Sequence, residues 1–149
     1  MTTPAPHTLC PSAQPDWADA QVFAVVAGTP ERPEAAYLDQ AQAVDAPLLA
    51  LAGELHPSEV FRFAAPCANG GCQHFDGAAH SCRLAAKTVA LVPMVVHKLP
   101  RCAIRSNCRW WQQEGAAACQ RCPQVVTDNH HPSEAMRMAA DPDRLPQAR

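Results

Sequence analysis

The chain has 149 residues, with 8 Cys, 15 Pro, only 6 Gly and a formal net charge of −2. Leu, Ile, Val and Phe together supply 26 residues, about 17%, and the hydrophobic fraction of 48% is carried largely by 29 alanines that bury little area each. So thin an aliphatic core asks for staples, and the cysteines are the candidates. No apolar run reaches membrane-spanning length, which excludes a transmembrane helix.

From the N-terminus, residues 1–15 hold four prolines and Cys10 and read as a flexible lead-in. They show neither a basic region nor an apolar stretch of the secretory type, so a reducing, cytoplasmic setting is expected. Residues 16–63 read as a small α+β module. Gln21–Gly28 is β-branched and ends in a Gly-Thr-Pro turn, as a strand would. Ala35–Asp39 suits a returning strand or a short helix, the run being too brief to decide. Asp45 is placed to cap a helix that stops at Gly53. Val60 and Arg62 alternate with Phe61 and Phe63, which suits a strand or a turn.

Residues 64–128 form the Cys-rich part, expected to be irregular, metal-stapled and carrying short helices. Leu84, Ala85, Val89, Val92, Val96 and Leu99 approximate one helical face, but Pro93 interrupts it, so a helix to about Val92 followed by a kink or a new element is expected. Arg109–Glu114 followed by Gly115 reads as a short helix with its stop. Residues 129–149 are expected to be largely disordered apart from a turn or two of helix capped by Ser133. The expected class is α+β.

Charge and cysteine coincide. Residues 1–61 hold eight acids and one base, whereas residues 62–123 hold eight bases and two acids together with seven of the eight cysteines. The first group is Cys67, Cys72 and Cys82, with His74 or His80 as a further candidate ligand. The second is Cys102, Cys108, Cys119 and Cys122, four thiols by itself. Two four-ligand sites can be filled without borrowing, although ligands could also interleave. Cys10 stands more than fifty residues from the next Cys and is expected to be dispensable.

Three chemistries compete. Disulfides fit poorly with a reducing compartment, and being neutral they leave the basic segment without internal counter-charge. Structural zinc suits Cys119-x-x-Cys122, but the remaining gaps of four, five, nine and ten residues are unlike paired short-gap zinc sites. An iron–sulfur cluster draws its thiolates from a wider frame, so irregular gaps suit it better. Cys122-Pro123 is similar to the Cys-Pro that closes bacterial ferredoxin motifs, though the other spacings match neither that type nor the plant type. Over residues 67–123 the chain thus resembles iron–sulfur proteins in its cysteine chemistry. The resemblance implies one or two clusters, of 4Fe–4S type, on Cys67, Cys72, Cys82, Cys102, Cys108, Cys119 and Cys122, with zinc as the alternative.

No phosphate loop, nucleophile elbow or metal-hydrolase helix occurs, which disfavours a stand-alone enzyme. Eight bases spread over sixty residues and a pI of 6.4 make nucleic acid a poor partner. The expected role is an electron-transfer, redox-accessory or sensing component serving another protein. The alternatives are a zinc-stapled interaction module and a thiol redox protein built on Cys119 and Cys122. His7, His56, His97, His130 and His131 receive no role.

Overall fold

The structure, a computed structural model, describes residues 8–29, 32–125 and 132–144. The expectations placed on residues 1–7, on His130 and His131 and on residues 145–149 lie outside this range. The class is α+β. Strands β1 (Leu9–Cys10), β2 (Gln21–Gly28), β3 (Pro33–Ala43) and β4 (Phe61–Pro66) form an antiparallel sheet in the order β1-β4-β2-β3. Gly28, at φ +75°, turns β2 into β3, and a Cβ there would lie 2.2 Å from the Arg32 carbonyl oxygen. The segment around Tyr37 that sequence left between strand and helix is part of β3, whose pairing with β2 supplies the hydrogen bonds a short isolated helix would lack.

The alternation along β4 sorts its side chains to two faces. Phe61, Phe63 and Ala65 pack with Val22, Ala20 and Ala52 on one side. That side is closed by α1 (Ala46–Ala50), capped by Asp45 whose side chain accepts from the Leu48 N–H at 2.8 Å, and by α2 (Pro57–Val60). Ala64 faces the other way with Phe23 and Ala24, into a cluster that also contains Leu84, Ile104, Trp110 and Met136. A bulge on β2 between Val22 and Ala24 sets two of its residues against one of β4. One apolar cluster therefore runs from the sheet across residue 64 into the Cys-rich part.

Beyond β4, a two-stranded ribbon of β5 (Phe75–Asp76) and β6 (Ser81–Cys82) leads into α3 (Arg83–Leu91). Helix α3 ends at Val92, the residue before Pro93, where helical backbone is disfavoured. Helices α4 (Arg109–Glu114) and α5 (Ala116–Cys119) meet at Gly115, at φ +67°. Helix α6 (Glu134–Ala140), capped by Ser133, packs on α3, and buried Lys87 donates to the Asp141 carbonyl at 2.5 Å.

Residues 8–15 are not the loose lead-in their prolines suggested. Leu9 pairs with Pro66, Cys10 pairs with Ala65, and Ala13 donates its N–H to the Phe63 carbonyl at 3.1 Å. Leu9, Pro11 and Ala13 are buried. Proline density marked the absence of long regular structure, but a two-residue edge strand needs no more than one apolar anchor on each side.

Candidate metal centres

The structure gathers all eight cysteines into two sets of four. Cys10, Cys67, Cys72 and Cys82 line one cavity of about 470 Å³. The pairing of β1 with β4 sets Cys10 beside the chain that leaves the sheet at Cys67, whose N–H donates to the Thr8 carbonyl at 2.8 Å. A 3₁₀ turn at Asn69–Gly71 then delivers Cys72, and the β5–β6 ribbon returns Cys82 to the same place. That turnaround is held by Asp76, which accepts from the Ala78 and Ala79 N–H groups at 3.0 and 3.1 Å.

The second set, Cys102, Cys108, Cys119 and Cys122, lines a far smaller void of about 20 Å³ with almost wholly apolar walls, among them Phe23, Tyr37 and Ile104. It comes from one stretch of chain. Cys108 is the residue at which α4 begins, Cys119 ends α5, and Cys122 opens a 3₁₀ turn containing Pro123.

Every one of the eight sulfurs accepts a hydrogen bond from nitrogen. In the first set, Cys67 accepts from Asn69, Cys72 from His74 and Cys82 from Ala85, each at 3.4 Å and each from a backbone N–H, and Cys10 accepts from the Ser12 backbone. In the second, backbone N–H groups serve Cys102 (from Ile104) and Cys108 (from Trp110 and Trp111). Side chains serve the other two: Arg105 donates to Cys119, and Arg62 Nη2 donates to Cys122 Sγ at 3.3 Å. Donors converging on sulfur favour the thiolate. Burial opposes them: it pushes the Cys10 and Cys108 thiols up to about 12 and also raises Cys82, Cys102 and Cys119. Burial therefore holds these five thiols in their protonated form, and a metal cation is the group that would make them thiolates.

Cations surround both sets. Arg62 is only 1% exposed; it donates to the Cys122 carbonyl at 2.6 Å, to the Pro11 carbonyl at 3.0 Å and to the Cys122 sulfur, and no carboxylate among the described residues is its partner. Its Nε, like those of Arg105 and Arg109, is buried without a partner among the described residues. Arg105 lies over the Trp111 ring at 5.4 Å and donates to the Pro100 carbonyl. Arg109 lines the first cavity, lies over Phe75 at 5.6 Å and donates to Asn69 Oδ1 at 2.7 Å. A buried guanidinium without a counter-ion is costly, and an anionic thiolate centre beside it offsets that cost. Tyr37, raised above its usual range by burial and by the nearby Cys122 sulfur, completes this wall.

The seven cysteines singled out by sequence divide as the two groups proposed. Cys10, which sequence set apart as a dispensable residue of the lead-in, lines the first cavity beside Cys67, Cys72 and Cys82, and the candidate imidazole of His74 lines it too. His74 lines the cavity with a buried, unpartnered Nδ1, and burial together with Lys87 lowers its basicity. His80 is not among the cavity walls; it adopts φ +55° and stacks edge-on against Phe75 at 5.3 Å. All eight cysteines are free thiols, and among the described residues no three His, Cys, Asp or Glu side chains converge tightly enough to bind one ion directly. The thiols surround space instead of meeting at a point. Arg62 is the other residue that sequence missed; its signal was the alternation with Phe61 and Phe63, which places a charge on an inward face.

No protein-family model, curated protein or solved structure matches this chain.

Proposed function

We propose that this chain is an iron–sulfur protein with two clusters, one on Cys10, Cys67, Cys72 and Cys82 and one on Cys102, Cys108, Cys119 and Cys122, acting in electron transfer, redox support or sensing for a protein partner in the cytoplasm. The observation that carries the reading is the paired arrangement: four sulfurs around each cavity, each already accepting an N–H. Hydrogen bonds to cluster sulfurs and neighbouring positive charge are the levers by which a protein sets such a centre's potential. When bound, a cluster supplies reversible one-electron storage.

The chain's own residues bind, shield and balance charge. Trp110 and Ile104, 2% and 3% exposed, keep water from the second set. Arg62 and Arg105 offset its negative charge from inside the protein, and Arg109 does so at the first set. Among the described residues no helix is long and apolar enough to cross a membrane.

Structural zinc on the same thiols is the second reading; the smaller volume of the second site suits one ion better than that of the first, but its thiols would have to draw together to bind it. At the first site about 470 Å³ framed by sulfurs suits a cube of iron and sulfide better than a single ion. Analysis of anaerobically purified protein for iron, zinc and acid-labile sulfide tests this. Iron and sulfide in equal amounts, with broad visible absorption, are expected. Stoichiometric zinc without sulfide, under conditions that load a control protein, would overturn the proposal.

A further inference from the structure

We infer that the two centres are held as one electronically coupled pair, with Trp110 as the partition between them. The inference rests on the iron–sulfur reading of both sites. Trp110 is the side chain that lines both cavities, and at 2% exposure it is fixed within the core. The two sites therefore share Trp110 as a common wall. They are also tied to each other by the backbone. Leu9 bridges to Cys108 of the second set, while its neighbour Cys10 lines the first cavity and Pro11 lines the second.

Helix α4 makes the same connection from the other side. It starts at Cys108, and one turn later Gln113 grips the backbone of Cys82 by both polar groups. The Cys82 N–H donates to Gln113 Oε1 at 2.7 Å, and Gln113 Nε2 donates to the Cys82 carbonyl at 2.9 Å. One short helix thus has Cys108 of the second set at its N-cap and holds the backbone of Cys82 of the first set through Gln113. Two anionic centres so placed feel each other's charge across a low-dielectric wall, so an electron on one makes the next harder to add. Exchange between them moves one electron from the reduced centre to the oxidised one, with no bond broken and no proton transferred; the electron first enters from an external one-electron donor.

The test is low-temperature electron paramagnetic resonance of the whole, anaerobically loaded chain, reduced with dithionite and recorded at two microwave frequencies. The expected result is a composite spectrum with splittings of the same field width at both frequencies, the mark of interacting spins. Redox titration gives a second readout that does not need both centres reduced together. Each centre's potential should shift when the other is removed by Cys10→Ser or by Cys122→Ser. A wild-type spectrum equal to the sum of two independent signals, with potentials unchanged in the variants, would overturn the coupling while leaving two clusters in place. Zinc at one site beside a cluster at the other would also overturn it, and the absence of sulfide would overturn the iron–sulfur reading itself.

Discussion

The two cysteine sets hold the same number of thiols and are built in opposite ways. The first is assembled from far-apart pieces of chain, from Cys10 on a sheet edge to Cys82 on a ribbon, around a roomy cavity of about 470 Å³ whose walls mix apolar and polar groups. Among the described residues its sulfurs are served by backbone N–H groups. The second comes from a single stretch, Cys102 to Cys122, around a small apolar void, and two of its sulfurs are served by guanidiniums. Local chain turns can present neutral donors to an accessible site. A site sunk against a sheet has to import its counter-charge, which is the task of Arg62.

The largest expected effect is that of metal removal. Because the aliphatic core is sparse and the cysteines recur through residues 67–122, stripping both centres should abolish the cooperative thermal transition of the Cys-rich part, as read by circular dichroism. A melt unchanged in the stripped protein would show that the centres hold no structure. Next is Cys10→Ser, which should empty the first centre and leave the second loaded; full metal content in this variant would remove Cys10 from the set. Smaller again is Arg62→Met. In loaded protein, taking the cation away from the Cys122 sulfur should cost about 3–5 kcal/mol, the scale for breaking a buried charge pair. Arg62→Lys, which keeps the positive charge, should cost markedly less. Equal losses in the two variants, measured by denaturant titration of the loaded protein, would mean that the charge of Arg62 contributes nothing there. The mildest contrast is kinetic: a chelator should draw metal from the first centre before the second, because the first cavity is far roomier and its walls less uniformly apolar.

Sequence carried the parts of this comparison that depend on local pattern. The β2 strand, the Asp45 and Ser133 caps, the end of α3 before Pro93 and the α4–Gly115 stop are all local signals, and all are present. The second set was legible because its four thiols lie within about twenty residues of one another. Cys10 was not, since its membership depends on β1 finding β4 across more than fifty residues, and two residues of strand carry no periodic signature. Arg62 was hidden for a related reason. Arginines next to cysteines in sequence drew attention, yet Arg121 spends its guanidinium on the Val92 and Ala117 carbonyls and Arg101 is exposed. Of the two guanidiniums that touch a sulfur, Arg105 lies close to its cysteines in sequence, whereas Arg62 comes from a strand sixty residues away.

The central claim, two clusters on two separate sets of four thiols, is tested most directly by native mass spectrometry of the anaerobically purified whole chain and its Cys10→Ser and Cys122→Ser variants. The account predicts a wild-type mass above the bare chain by two iron–sulfur clusters, and by one cluster in each variant. A wild-type increment of two zinc ions, or variants that each keep both increments, would contradict it.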